Sequence, residues 1–219
     1  MMEAELRRRQ RNKIDRYFPD SGPLRRELYP QQLKFFAAGA EHRERAFMAA
    51  NRCGKTEAGV YEMTCHLTGE YPHWWVGKRF DRANSWWAAG DTSKTTRDIL
   101  QAKCVGPLND LGTGMIPGDR IIHKTMKQGI PDALDTVYVK HASGGASMLG
   151  FKSYDQGRRT FQGTEQSGIL LDEEPPEEVY VEALLRTMTT NGIVLLTFTP
   201  LSGVSSVVLS FLPGGRVQE

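Results

Sequence analysis

MAANRCGKTEAG, residues 48–59, closes on Gly54-Lys55-Thr56, the end of a phosphate-binding loop. Glycine lets the backbone approach a polyphosphate, the lysine ammonium neutralises phosphate charge, and the threonine hydroxyl ligates Mg²⁺. Backbone N–H groups at the start of the following helix complete an anion site. The loop departs from G-x-x-x-x-G-K-[ST], because Ala49 stands where the first glycine is usual. A G-K-T triplet alone also fits an ordinary β–α turn with a chance lysine. The flanks weigh against that: Ala46 to Ala50 is a short apolar run, and Thr56 to Met63 is compatible with a helix. Strand, loop and helix is the order that phosphate binding needs.

A second segment completes the pattern. Gly168-Ile169-Leu170-Leu171-Asp172-Glu173-Glu174 is an apolar strand ending in carboxylates. Asp172 falls at the carboxyl end of that strand, where open α/β sheets place ligands. A carboxylate there can hold Mg²⁺, usually through water, with Thr56 as the direct ligand, while Glu173 can orient or deprotonate the water that attacks a γ-phosphate. The plain alternative is an acidic helix start favoured by the helix dipole. Together the two segments indicate an ATPase using ATP and Mg²⁺, with Ala50, Asn51, Arg52, Cys53, Gly54, Lys55 and Thr56 around the phosphates. Arg52 suits the γ-phosphate or transition-state charge through its planar fork, and pairing with an acidic neighbour is its other reading. Thr197-Phe198-Thr199-Pro200 ends an apolar strand with two hydroxyls able to sense the γ-phosphate, and strand-end turn chemistry is the plain alternative. Tyr29, with Gln31 or Gln32, suits stacking on and hydrogen bonding to an adenine, and a helix-start turn is the equal alternative.

The whole chain bounds these readings. Its 219 residues suffice for one large domain. The 28 basic residues nearly balance the 26 acidic ones, so composition argues neither for nor against nucleic acid. The distribution is uneven: residues 5–13 are basic and residues 172–178 acidic. Residues 1–28 read as a polar, basic helical arm broken near Pro19 and Pro23, either a phosphate contact or a solvated face. Cys53, Cys65 and Cys104 form no C-x-x-C pair, and the histidines lack metal-ligand spacing. No apolar run approaches the roughly 20 residues of a membrane span. An intracellular, membrane-free protein is expected.

Elements can be laid along the chain. A helix is expected over residues 31–40, a strand near 45–50, and a helix from the loop to about 68. Residues 85–90 form a second strand, with a helix capped by Thr92 or Ser93. Residues 106–136 are rich in Gly, Pro and Asp and read as irregular. Residues 137–141 and 147–153 read as strands, 176–188 as a helix, 193–199 as a strand buried on both faces, and 204–212 as a terminal helix. The alternation argues an α/β fold.

Several segments occur in one order: Tyr29-Pro30-Gln31-Gln32, Asn51-Arg52-Cys53-Gly54-Lys55-Thr56, Thr95-Thr96-Arg97-Asp98, Phe161-Gln162-Gly163-Thr164, Leu171-Asp172-Glu173-Glu174-Pro175-Pro176 and Thr197-Phe198-Thr199-Pro200-Leu201. This set resembles the ATPase domain of large terminase subunits, the DNA-packaging motors of tailed bacteriophages, over about residues 28–212. The resemblance implies a RecA-like ASCE P-loop ATPase with a mostly parallel central sheet flanked by helices. It implies Lys55 and Thr56 as the Walker A pair, Asp172 and Glu173 as Walker B residue and catalytic glutamate, and Thr197 to Thr199 as the coupling motif. It also implies an arginine in the loop, Arg52, acting in catalysis, and a second arginine reaching a neighbour's ATP, for which Arg158 and Arg159 are candidates. The implied partners are double-stranded DNA, the portal protein, the small terminase subunit and further copies in a ring, in the host cell cytoplasm. Residues 29–212 would be the ATPase domain and 213–219 the start of a linker to a nuclease domain absent from these residues. The rival expectations are another nucleic-acid-stimulated ASCE translocase or helicase, and a non-catalytic nucleotide-binding assembly module.

Overall fold

The computed structural model describes residues 12–200 and 203–212. Its centre is a seven-stranded sheet. In chain order the strands are β1 (Glu44–Met48), β2 (Ser85–Gly90), β3 (Ile121–Met126), β4 (Leu134–Lys140), β5 (Ala146–Ser153), β6 (Gly168–Asp172) and β7 (Ile193–Phe198). The helices are α1 (Pro30–Ala37), α2 (Lys55–Thr68), α3 (residues 93–105), α4 (Glu177–Met188) and α5 (Ser206–Ser210). Thr92 caps α3 by accepting from the Thr95 N–H, and its middle, Thr96–Gln101, widens into a π-helix.

The sheet order is β1-β7-β6-β2-β5-β4-β3. From β1 to β5 all neighbours are parallel, and β4 and β3 add antiparallel strands at one edge. The strand before the loop and the strand ending in carboxylates are therefore separated by β7. Register sets the site. Met48 pairs with Phe198, Asp172 with Thr197, and Gly90 with Ser153, so the carboxyl ends of the parallel strands lie flush along one rim. The central strands read as continuous apolar runs because both faces are covered: β6 and β7 are buried throughout.

Helix α2 packs against one face and is itself buried from Ala58 to Thr68. Gly59 makes the approach possible. A Cβ there would lie 2.7 Å from Leu170 Cδ1 and 3.0 Å from Thr197 Cγ2. The opposite face, with Ile169, Leu171, Val194 and Leu196, is covered by α4, α5 and the short turn Arg158–Phe161.

Two expectations fail. Residues 12–28 form no polar helix; they contain only the 3₁₀ turns Ile14–Arg16 and Arg26–Leu28. Aromatic packing overrides local propensity: Phe18, at φ 54°, is buried in edge-to-face contact with Tyr29, Phe36, Tyr61 and Trp74. Residues 1–11 and 213–219, the ends of the expected arm and linker, lie outside the described residues. The second failure is β3, which lies within the stretch read as irregular. It is an edge strand with exposed Ile122 and Met126 and register shifts against β4, so its alternation is weak. The terminal helix is also shorter than expected, at Ser206–Ser210.

Candidate functional site

The loop leaves β1 at Ala49, whose N–H bonds Phe198 of β7 at 3.4 Å, and enters α2 at Gly54. Gly54 has φ 76° and Arg52 φ 65°, the left-handed turns that bring successive backbone N–H groups round towards the helix start. Lys55 is 7% exposed. Its ammonium donates to the Ala50 carbonyl at 2.8 Å and to Thr199 Oγ1 at 2.9 Å. Thr199 Oγ1 also lies 3.0 Å from the Ala49 carbonyl and 2.9 Å from Asn51 Oδ1, tying the end of β7 to the loop. A phosphate oxygen would compete for the same ammonium.

At the next position in the rim, Asp172 Oδ1 accepts from Thr56 Oγ1 and from Thr197 Oγ1, each at 2.7 Å. Burial pushes the Asp172 carboxyl up to about 6; the two hydroxyls pull it down, and neighbouring Glu173 raises it further. A carboxylate and a hydroxyl are hard oxygen donors, the set that holds Mg²⁺ beside substrate phosphates, and a bound cation would favour the charged form of Asp172. The residues present therefore fit that ion.

Glu173 is different. It is exposed, and its φ is 65°. Its N–H donates to the Thr197 carbonyl at 3.1 Å. Adjacent carboxyls thus occupy unlike environments, one buried against hydroxyls and one open to solvent beyond the strand end. That is the division of labour expected of a cation ligand and a water-activating base.

Other expected site residues are partly brought together. Gln32 is buried and donates to the Cys53 carbonyl at 3.0 Å, joining α1 to the loop, whereas Gln31 is exposed. With Tyr29, Tyr17, Leu24 and Gly54, Gln32 lines a cavity of about 440 Å³ beside the loop. Arg52 is exposed and makes no ion pair among the described residues, so its pairing with an acidic neighbour is not seen. Cys53 is exposed. Of the strand-end trio, Thr197 and Thr199 face Asp172 and Lys55, while Phe198 is fully buried in the core. Arg158 and Arg159 sit in the turn packed on α4. Arg158 Nε bonds Glu182 at 2.8 Å, a carboxylate 2% exposed that also takes Arg186. Arg159 is exposed.

Three features escaped sequence reasoning. Glu57, next to Thr56, is bonded by Lys103 at 2.6 Å, Lys13 at 3.2 Å and Tyr17 at 3.2 Å; burial alone would raise its carboxyl, but the two lysines hold it below the usual range. Lys55 pairs with Thr199. Tyr154, buried below the rim, keeps its phenol protonated because burial pushes its pKa well up. Only the basic character of residues 5–13 hinted at the first, and nothing in the sequence marked Tyr154.

The sequence matches the family described as terminase large subunit, T4-like-virus type, N-terminal, over residues 46–215. It is 38% identical over 204 residues to the terminase large subunit of Salmonella phage P22, covering 84% of this chain and 41% of that protein. The chain thus spans about two fifths of that relative's length. Among solved structures it is similar to the large terminase ATPase domain of Thermus phage P74-26, with a TM-score of 0.57 at 18% identity, covering 86% of this chain and 71% of that one. A point variant of that domain aligns with a TM-score of 0.56 at 19% identity, covering 85% and 72%. At this identity the structural likeness establishes the shared fold, a RecA-like α/β core.

Proposed function

The chain belongs to the terminase large subunit family, and on that premise we propose that it is an ATP-hydrolysing motor domain that drives double-stranded DNA into a procapsid. The observation that carries this is the convergence of the Thr56 and Thr197 hydroxyls on one Asp172 carboxylate oxygen, next to Lys55 on Thr199. Three adjacent strands bring the Asp172 carboxyl and the Lys55 ammonium to one rim, with an exposed glutamate one residue further on, and this arrangement supports the reading.

Lys55 releases Ala50 and Thr199 to take the β- and γ-phosphates, and the N–H groups of the loop cradle them. Thr56 and Asp172 hold Mg²⁺, which supplies charge neutralisation on the phosphates. Glu173 accepts the proton of the attacking water or orients it. Arg52, free of protein carboxylates among the described residues, places its fork on the transferring phosphate. Tyr29 and Gln32 line the base cavity, and of the two glutamines Gln32 is the one turned inward. Thr199 loses its lysine partner when phosphate binds, which gives β7 a means to report nucleotide state.

Arg158 is the better candidate for action in a neighbouring subunit. Glu182 holds its Nε, and the side chain stays half-exposed, so part of the fork is anchored while the rest can reach a neighbour. Charge supplied in trans is worth about 10³–10⁵ in turnover where it operates. The portal protein, the small terminase subunit and a ring of copies are the proposed partners, with the host cytoplasm as the place of action. The test is Mg²⁺-dependent ATP turnover across protein concentration. The rate per subunit should rise with concentration for the wild type, and the rise should vanish in Arg158→Ala while ATP binding persists. A concentration-independent rate unaffected by Arg158→Ala would refute the trans role. No turnover at any concentration, with or without DNA, portal and small subunit, would refute the motor reading.

A further inference from the structure

Glu173 stands in a backbone conformation that glutamate rarely adopts, φ 65°. Such a conformation persists only where the surroundings over-determine it. On one side the Glu173 N–H is held by the Thr197 carbonyl of β7. On the other side stands Tyr154, in the turn that follows β5 and 5% exposed. Its hydroxyl lies 3.0 Å from the Asp172 carbonyl, 3.3 Å from the Glu173 carbonyl and 3.4 Å from the Ala89 carbonyl. The first two carbonyls belong to the peptide units before and after the Glu173 Cα. One phenolic proton serves them, shared mainly with the nearer.

We propose that Tyr154 is a positioning residue for Glu173: its hydroxyl, spanning the two peptide carbonyls that flank the Glu173 Cα, holds the backbone turn that aims the Glu173 carboxylate. The side chain of Glu173 is exposed, so the backbone turn sets the direction of its Cα–Cβ bond and with it the region the carboxylate can reach. Asp172 is aimed by other means, the hydroxyls of Thr56 and Thr197. Loss of the Tyr154 hydroxyl therefore separates the two acids, disturbing Glu173 and sparing the cation and phosphate contacts. The inference rests on the reading of Glu173 as the group that prepares the water.

Tyr154→Phe tests it, because the ring and its packing against Phe161 remain and only the hydroxyl goes. Turnover of Mg·ATP, binding of a non-hydrolysable ATP analogue and a crystal structure are compared with wild type, with Glu173→Gln alongside. The expected result is a kcat about tenfold or more below wild type, an unchanged KM and analogue affinity, and a Glu173 that has left the left-handed region while Thr56, Asp172 and Thr197 keep their contacts. A Glu173 still left-handed in the variant would overturn the proposal, whatever the rate. So would an unchanged kcat accompanied only by a lower melting temperature, the mark of a merely structural hydroxyl. If Glu173→Gln turns over as wild type does, the role of Glu173 itself fails; the variant's Glu173 backbone still decides whether Tyr154 holds it.

Discussion

Helix α2 carries two buried polar clusters, and they are settled in opposite ways. In its middle, Glu62 is 0% exposed and takes Arg45 of β1 through both oxygens, and His66 one turn later, at 3.2 Å. Burial alone would raise the Glu62 carboxyl, but Arg45 and His66 outweigh it and hold it below the usual range. At the start of the helix, Thr56 meets an Asp172 that faces only hydroxyls, and its carboxyl is pushed up by burial. One carboxylate has its cation built in; the other has no protein cation in direct contact among the described residues and suits an ion from solution. The difference separates scaffold from site: a buried charge fully matched within the protein fixes packing, and one left unmatched marks where a ligand completes the structure.

The largest effect that would break this comparison lies in the scaffold cluster. Glu62→Gln leaves the Arg45 guanidinium buried without its counter-charge, and urea unfolding should show a loss of about 3–5 kcal/mol. A loss below about 1 kcal/mol would mean that water reaches the pair and that it is not scaffold. Asp172→Asn should act in the reverse sense. The amide oxygen still accepts from Thr56 or Thr197, a buried charge disappears, and without Mg²⁺ the variant should be about 1 kcal/mol more stable while losing turnover. A destabilised variant would show that Asp172 is matched after all.

A further effect sharpens the comparison through pH. His66 lies against Glu62, Arg45, Tyr71 and several rings, with Lys78 also acting on it; its pKa is lowered, first by burial, with Arg45 and Lys78 adding to this and Glu62 opposing. Its Nδ1 accepts from the Tyr71 hydroxyl, which in turn accepts the Phe80 N–H. With the folded pKa below the unfolded value of 6.5, the unfolded chain binds more protons between the two, so stability falls as pH drops below about 6.5. His66→Gln should flatten that slope by up to about 1.4 kcal/mol per pH unit, read from melts between pH 5 and 7. An unchanged slope would mean that His66 titrates alike in the folded and unfolded chains.

The same contrast explains what could be read beforehand. Gly54, Lys55, Thr56, Asp172 and Glu173 stand out in the sequence because a phosphate- and cation-binding reading calls for these residue types at fixed offsets from apolar strands, and the strand ends and helix start expected to carry them are present. Strands β6 and β7 were legible as continuous apolar runs. The Arg45–Glu62–His66 cluster was not, because polar residues inside a helix pattern look like a solvated face until the tertiary fold covers them. Strand β3 was missed because an exposed edge strand needs no clean alternation. Residues 12–28 were misread as helix because their structure is decided by the aromatic cluster around Phe18, residues far apart in the chain. Tyr154 carries no local signal at all; its role exists only where the turn after β5 passes beneath the ends of β2 and β6.

The most direct measurement is ATP binding and turnover by wild type and Glu173→Gln under the same Mg²⁺-containing conditions. The account predicts equal nucleotide affinity and a turnover lowered by about 10²–10⁴-fold in the variant. Equal turnover in the two proteins, or loss of binding in Glu173→Gln, would contradict it.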